Sequence, residues 1–233
     1  MSRAVILDVD GTLVDSNGAH AAAWVDAFSE AGVAVDPGRV RRAIGMGGDK
    51  LMPEVSAVTE DSPLGRRIGQ RRSEIFKERY LPQVRPFPRV REFVQRCAAD
   101  GFHLAVASSA KEDELGALLE RANVADLIPT RTSSDDAENS KPDPDIVVAA
   151  IERAGAPRDS TVMIGDTPYD VAAAKRAGIA IIGVECGGWT RQELEGAIAV
   201  YANAAELLTL YDRSIFARLA ERGGRKGEGE RHG

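Results

Sequence analysis

Short apolar runs alternate with segments of helical periodicity along most of the chain. The first run is Ala4-Val5-Ile6-Leu7, and later runs predict strands at residues 103–107, 127–130, 161–165 and 179–184. Apolar residues at helical spacing predict helices at residues 89–99, 112–122, 144–154 and 168–177. Short strands that alternate with helices are typical of a parallel sheet covered on both faces. The pattern therefore predicts an α/β fold.

Residues 16–87 interrupt this alternation, because they show helical periodicity without a convincing strand. Residues 19–31 place His20, Trp24 and Phe28 on one stripe, and residues 66–80 form a second amphipathic pattern. We therefore expect a helical insertion between the first strand and the rest of the sheet.

Polar residues follow the apolar runs at the points where strands are expected to end. Asp8 and Asp10 follow the first run, Ser108 follows the second, and Asp166 follows the run at residues 161–165. Side chains two residues apart on a strand point to the same side, so Asp8 and Asp10 would lie together. Open α/β sheets bind ligands at the carboxyl ends of their strands. Paired carboxylates at that edge suit a divalent cation and a carboxylate nucleophile.

Local sequence leaves a second interpretation open for several of these residues. Ser109 with Glu112 has the spacing of a capping box, and Thr167 with Asp170 has the same spacing around a proline at the first helical position. Each pair could cap a helix without any role in chemistry. A lone Lys141 would ordinarily be a solvated side chain.

Taken in order, four motifs resemble those of the haloacid dehalogenase superfamily. They are Asp8 with Asp10, then Ser108, then Lys141, and then Asp166 with Asp170. The resemblance extends from about residue 4 to about residue 208. It implies a phosphatase in which Asp8 is the nucleophile and forms an aspartyl-phosphate, while the Asp10 side chain acts as general acid and base.

The same resemblance implies roles for the remaining motif residues. Ser108 and Lys141 would bind the phosphate. Mg²⁺ would be held by the side chains of Asp8 and Asp166 and by the backbone carbonyl of Asp10, with Asp170 in a supporting position. Thr12, His20 and Ser109 are further candidates for the site. His20 has an alternative interpretation as a packed core residue, and Ser109 as a cap alone.

The predicted organisation is a three-layer, Rossmann-like parallel sheet core with an inserted helical cap. The core comprises residues 1–15 and 88–210, and the cap comprises residues 16–87. Residues 211–233 are rich in Gly, Arg and Glu, and we expect a charged tail that begins as a frayed helix and is then disordered. The glycine-rich stretch 45–50 is either a plain interhelical turn or a specificity loop that approaches the substrate. The arginines at positions 66, 67, 71 and 72 are interpreted as a solvated helix face.

Composition narrows the possible partners. The net charge of −6 and the lack of an extended basic face argue against nucleic-acid binding, so a small phosphorylated metabolite is the expected partner. Two cysteines are too few for a disulfide framework, and no apolar run is long enough to span a membrane. With no signal peptide evident at the N-terminus, we expect a cytoplasmic protein. The oligomeric state is left open.

Two other functions are consistent with these motifs. The first is a phosphomutase resembling β-phosphoglucomutase, which has a His and a Trp at the positions of His20 and Trp24. Against it, Gly165-Asp166-Thr167 with Asp170 resembles the phosphatase form of the fourth motif. The second is a phospholigand-binding protein without turnover. A dehalogenase is disfavoured because members that displace halide lack an acid at the position of Asp10.

Overall fold

Six parallel strands form a single sheet in the computed structural model, which describes residues 2–219. The strands are β1 (Ala4–Leu7), β2 (His103–Ala107), β3 (Thr130–Thr132), β4 (Thr161–Gly165), β5 (Ala180–Val184) and β6 (Ala199–Tyr201). Their spatial order is β3-β2-β1-β4-β5-β6, and every neighbouring pair is parallel. The predicted α/β parallel-sheet fold is confirmed.

Helices cover both faces of this sheet. Four helices lie between β1 and the rest of the core: α1 (Asn17–Glu30), α2 (Pro37–Ala43), α3 (Gly48–Val55) and α4 (Pro63–Ile75). Five belong to the alternating part of the chain: α5 (Val90–Ala99), α6 (Glu112–Arg121), α7 (Asp145–Ala154), α8 (Pro168–Ala177) and α9 (Ala204–Thr209). A π-helical turn (Phe76–Tyr80) continues α4, so the helical pattern predicted to reach residue 80 does so with a change of helix type.

The pleat of the central strand separates two hydrophobic layers. Val5 and Leu7 pack into the layer formed with α5, α6 and α9, whereas Ala4 and Ile6 pack into the layer formed with α7 and α8. All four side chains are fully buried, as expected for a strand covered on both faces.

Two strands differ from the sequence prediction. β3 begins at Thr130 rather than at residue 127, because Pro129 has no N–H to contribute to a ladder and the strand can start only after it. β6 was not predicted. It is a three-residue edge strand whose residues are only partly buried, and so short an element leaves little periodicity to detect.

The segment 211–219, where we expected the frayed start of the tail, packs against the core. The ring of Tyr211 stacks on Phe216 with centroids 5.2 Å apart, and Phe216 meets the edge of Phe93 on α5 at 5.6 Å. Tyr211 and Phe216 are buried, and this aromatic cluster outweighs the polar composition of the surrounding sequence. The remainder of the predicted tail, residues 220–233, lies outside the described residues.

Helices α1–α4 occupy the stretch where the cap was predicted, and the division at residues 16 and 87 remains our interpretation. Among the described residues, no helix combines the length and apolar character needed to cross a bilayer.

Candidate active site

The strand order brings the predicted site residues to one edge of the sheet. β1 lies between β2 and β4, and Asp8, Ser108 and Asp166 are the residues that directly follow these three strands. The Asp8 N–H donates to the Ile164 carbonyl at 2.9 Å, which holds the start of this turn against β4. The site therefore lies at the carboxyl ends of the central strands, where the chain connections diverge to opposite sides of the sheet.

The Asp8 carboxylate has a different donor on each oxygen. The ammonium of Lys141 donates to Oδ1 at 2.6 Å, and the Thr12 hydroxyl lies 3.1 Å from Oδ2. The same hydroxyl lies 3.2 Å from Oδ1 of Asp166, so Thr12 bridges the two acids. Of the residues named from sequence, Asp8, Thr12, Lys141 and Asp166 are thus brought together.

Asp166 is held by a residue that sequence reasoning missed. Asn17, the first residue of α1, donates through Nδ2 to Asp166 Oδ2 at 2.8 Å and to the Gly187 carbonyl at 3.1 Å. Gly187 and Gly11 leave room for this carboxylate: a Cβ at these positions would lie 1.6 Å and 2.2 Å from Asp166 Oδ2, respectively. Nothing local in the sequence could have identified Asn17, because its partner lies 149 residues away along the chain.

Asp170 satisfies both of the interpretations that the sequence left open. Its Oδ2 accepts from the backbone N–H of Thr167 at 3.0 Å and from the Thr167 hydroxyl at 2.6 Å, which completes a capping box at the start of α8. Its Oδ1 lies 2.8 Å from the Lys141 ammonium. One carboxylate therefore caps the helix and positions the lysine.

Burial and mutual repulsion dominate the electrostatics of the cluster. Burial raises the pKa of Asp8 to about 7; the positive charge of Lys141 opposes this shift, and Asp170 and Asp10 add to it. The pKa of Asp166 is raised well above its usual value by burial and by the charge of Asp8. Burial alone would lower the pKa of Lys141, but the carboxylates of Asp170 and Asp8 raise it overall, so the ammonium remains charged.

The donor set fits a divalent metal ion. Asp8, Asp166 and Asp170 each offer a carboxylate oxygen, and these oxygens lie within 4.8 Å of one another. When all three acids are ionised, Lys141 is the one cation in direct contact with them among the described residues, so the cluster is short of positive charge. A hard dication with oxygen ligands would offset the repulsion that, in addition to burial, raises the pKa values of Asp8 and Asp166.

Asp10 lies beside this cluster and contacts two residues of the insertion. His20 Nε2 is 2.8 Å from Asp10 Oδ1, and the Ser16 hydroxyl donates to the same oxygen. Burial would raise the pKa of Asp10, but the charge and hydrogen bond of His20 lower it overall. His20 also stacks on Phe76 with ring centroids 3.9 Å apart, so it is a packed residue that also contacts Asp10, and its role in the site remains a prediction.

The two serines after β2 differ in their contacts, and the predicted role of Ser108 in phosphate binding stays a prediction. Ser108 is fully buried, and its hydroxyl accepts from the backbone N–H of Ala110 at 3.1 Å. Ser109 does not form the expected capping box: α6 begins at Glu112 without a side-chain cap, and the Ser109 hydroxyl instead donates to the Gly45 carbonyl at 3.1 Å. That bond joins the core to the glycine-rich stretch 45–50, which favours the interpretation of this stretch as a loop that approaches the site.

Arg72 is not on a solvated face, and the prediction for this arginine was wrong. Its guanidinium contacts both carboxylate oxygens of Glu114 on α6 at 2.7 and 2.6 Å, and lies 5.1 Å from the centre of the Trp24 ring. Glu114 is 1% exposed. A single amphipathic helix gives no sign of a buried acid contributed by another helix, so the periodicity of α4 could not reveal this pair.

Two cavities adjoin the cluster. One of about 40 Å³ is lined by Asp8, Asp10 and His20, among others. Another of about 700 Å³ lies between α3 and α4 on one side and the loops that follow β2 and β3 on the other. Both are lined by Trp24, Arg72 and Ser109, so the large cavity adjoins the small one at these side chains.

Comparison with known proteins agrees with this geometry. Residues 5–184 match the family described as "Haloacid dehalogenase-like hydrolase". The chain is 33% identical to "Probable phosphatase IndB" of Dickeya dadantii, with 84% of this chain and 87% of that protein aligned. It is 32% identical to "Phosphoglycolate phosphatase" of Rhodospirillum rubrum, over 89% and 90% of the two chains. The crystal structure of a hydrolase from Pseudomonas syringae superposes with a TM-score of 0.84 at 29% identity, covering 91% and 99%.

Proposed function

Because this chain belongs to the haloacid dehalogenase-like hydrolase family, we propose that it is a Mg²⁺-dependent phosphatase of a small phosphate monoester, such as phosphoglycolate or a sugar phosphate. The observation that carries the proposal is the pairing of the Asp8 carboxylate with Lys141 at 2.6 Å, beside Asp10 and the cavity of about 40 Å³. With roughly 10–15 Å³ per water-sized position, that cavity has room for about three such positions, enough for the oxygens of a phosphoryl group but not for a sugar.

Asp8 is the proposed nucleophile. One of its carboxylate oxygens attacks phosphorus, the bond from phosphorus to the ester oxygen breaks, and an aspartyl-phosphate forms. Lys141 holds Asp8 in place and offsets the negative charge that develops on the phosphoryl oxygens. Because Asp170 fixes the ammonium from its other side, this positive charge is in position before substrate arrives.

Asp10 is the proposed general acid and base. It donates a proton to the departing ester oxygen, and it then takes a proton from the water that attacks phosphorus and breaks the bond to Asp8. Within the described part of the chain, both polar contacts of this carboxylate use Oδ1, which leaves Oδ2 for the proton. His20 and Ser16 thus orient the group that exchanges it.

Mg²⁺ is the metal that we propose for the acidic cluster. Asp8 and Asp166 would hold it with their side chains, together with the backbone carbonyl of Asp10. When bound, it would neutralise the repulsion between a carboxylate nucleophile and a phosphate dianion. Asn17 and Thr12 orient Asp166 for this task, as hydrogen-bond partners of metal ligands commonly do.

The test is phosphate release from a panel of small phosphate monoesters, measured with Mg²⁺ and again after chelation. We expect Asp8→Asn to abolish turnover, because an amide is a far weaker nucleophile, while the thermal midpoint stays close to that of the wild type. Asp10→Asn should slow turnover and let a phosphoenzyme accumulate. It would be detected as acid-stable phosphate bound to the protein or as the added mass of one phosphoryl group. Wild-type rates in Asp8→Asn would refute the covalent route.

A phosphomutase is the second candidate, favoured by the contact of His20 with Asp10 at 2.8 Å and by Trp24 on the cavity wall. Against it stands Thr167 directly after Asp166, which caps α8 instead of supplying a second adjacent acid. Including β-glucose 1-phosphate in the panel separates the two: free phosphate supports hydrolysis, whereas glucose 6-phosphate with little free phosphate supports the mutase.

A further inference from the structure

The large cavity is the space available for the alcohol part of the substrate. It shares Trp24, Arg72 and Ser109 with the cavity at Asp8 and Asp10. Its volume of about 700 Å³ lies within the roughly 300–1,000 Å³ typical of small-molecule sites. With the phosphoryl group at Asp8, the rest of the ester would extend past these three side chains into the large cavity. The charges on its walls therefore bear on which alcohols are accepted.

The arginine at the junction of the two cavities is already neutralised. One guanidinium nitrogen of Arg72 donates to both carboxylate oxygens of Glu114, and Glu114 also accepts from the Ser73 hydroxyl at 2.6 Å. Burial would raise the pKa of Glu114, but the charges of Arg72 and His20 together with the hydrogen bonds from Ser73 and Arg72 keep it below its usual value. To bind a second substrate anion, Arg72 would have to leave a buried carboxylate without its partner, which is costly.

The other cationic side chains on the cavity wall either contact protein groups or are exposed to solvent. Lys77 forms an ion pair with Asp113, and Arg66 donates to the Asp61 carbonyl. Both Arg66 and Lys111 are exposed at the rim. Within residues 2–219, the cavity thus offers no buried cation that is ready for a second phosphate or a carboxylate.

Carboxylates without cationic partners lie on the wall formed by the insertion. Glu60 has no hydrogen-bond or ion-pair partner within the described residues, and Asp49 is hydrogen-bonded only to Ser140. Glu60 Oε1 and the Trp24 ring lie 2.9 Å and 3.4 Å from the position that a Cβ on Gly48 would occupy, so acid and ring adjoin. Burial and the charge of Asp49 raise the pKa of Glu60, and the charges of Lys111 and Arg72, neither of which contacts it, offset this rise only in part. In total, seven carboxylates and four cationic side chains line the cavity.

We propose that Glu60 and Asp49 determine specificity and that the leaving alcohol carries an ammonium group, as in the phosphate ester of an amino sugar. A cation there would gain charge-assisted hydrogen bonds from the two acids and contact with the Trp24 ring. A second phosphate or a carboxylate would meet like charge. This inference rests on the proposed phosphatase function, and within that proposal it favours amino-sugar phosphates over phosphoglycolate.

The test compares kcat/KM, each with Mg²⁺, for glucosamine 6-phosphate and glucose 6-phosphate, which differ at one position of the same ring, and for 6-phosphogluconate, an open-chain acid of similar size. For the wild type we expect the amine to exceed the hydroxyl compound by about tenfold, equivalent to about 1.4 kcal/mol, and the acid to be the poorest. Glu60→Gln should reduce the ratio of amine to hydroxyl substrate towards one. Glu60→Lys should reverse the order in favour of the acid.

Glu78→Gln is the matched control, because Glu78 is exposed and does not line the cavity. It should retain the wild-type ratios. Equal use of the acid and the amine by the wild type, or an unchanged ratio in Glu60→Gln, would overturn the inference. Metal-dependent hydrolysis of p-nitrophenyl phosphate by the wild type reports on the chemistry alone, and its absence would instead overturn the proposed function and the inference that depends on it.

Discussion

Replacing Gly187 by alanine should disable the proposed metal site through a single methyl group. The new Cβ would lie 1.6 Å from Oδ2, 2.3 Å from Cγ and 2.7 Å from Cβ of Asp166. Non-bonded heavy atoms settle near 3.5 Å, so the carboxylate would have to move by about 2 Å. Since the Asp166 Cβ is also too close, rotation of the side chain alone cannot relieve the clash.

The expected cost falls mainly on metal binding. Metal ligands must sit within about 0.2 Å of their proper distances, and loss of a supporting partner alone weakens metal binding by about 10–100-fold. We therefore expect the Mg²⁺ concentration for half-maximal phosphate release to rise by at least about 100-fold. Overpacking should also lower the free energy of unfolding by about 1–3 kcal/mol.

Two measurements separate these effects. Phosphate release against Mg²⁺ concentration gives the half-saturation point, and the thermal midpoint with and without Mg²⁺ reports binding independently of activity. Gly116→Ala is the control, because Gly116 lies within α6 and its Cβ would meet nothing within 4 Å. That variant should keep the wild-type metal response and gain up to about 1 kcal/mol of stability. A wild-type Mg²⁺ response in Gly187→Ala would refute the argument.

Two further predictions concern stability. Phe216→Ala should lower the free energy of unfolding by about 3–5 kcal/mol in denaturant titrations, because the ring is fully buried against Phe93; a loss below about 1 kcal/mol would contradict the packing of the segment 211–219. Hydrogen bonds from Arg153 and from the backbone N–H of Ser133 lower the pKa of Asp136 to about 2. This acid therefore stabilises the fold fully above its unfolded pKa near 3.8, and the contribution is lost as pH falls through about 2. Because the ion pair is partly exposed, Asp136→Asn should lower the free energy of unfolding by no more than about 1 kcal/mol at neutral pH. Below about pH 2 the variant and the wild type should be almost equally stable. A stability difference that grows as the pH falls would contradict this reasoning.

Much of the fold was predictable because strands and helices leave different periodicities. Four fully apolar residues before Asp8 could only be a buried strand or part of a buried helix, and the alternation downstream decided between them. Periodicity did not give the start of β3, which follows Pro129, or the existence of the three-residue strand β6. A proline can sit within an apolar run and still delay the strand, and an edge strand of three residues has too few positions to show a period.

Some residues of the candidate site could be predicted from the sequence and others could not. Asp8, Asp10, Lys141 and Asp166 stood out because each lies in a short motif whose order along the chain is informative. Asn17 could not be identified from the sequence, since its contacts depend on where α1 begins relative to the turn at residue 187. Contacts between distant segments are invisible to local patterns unless a family resemblance supplies them.

The pair of Arg72 and Glu114 illustrates the same difficulty in the opposite direction. Helical spacing placed Arg72 among solvated arginines, yet an acid from α6 lies against it.

Asp170 shows that two alternatives drawn from the sequence can both describe the same residue. Its two oxygens have separate partners, so a capping role and a positioning role are satisfied at once.

Because Asp170 both caps α8 and contacts Lys141, the position of the Lys141 ammonium depends on an intact helix end. The carboxylate plane cannot turn toward or away from Lys141 without breaking the hydrogen bonds that start α8. On heating, the distance between Lys141 and Asp8 should therefore hold until the first turn of that helix frays, and then fail together with it. Thermal inactivation would follow a local melting event, sharp in temperature, rather than a gradual loosening of the pocket.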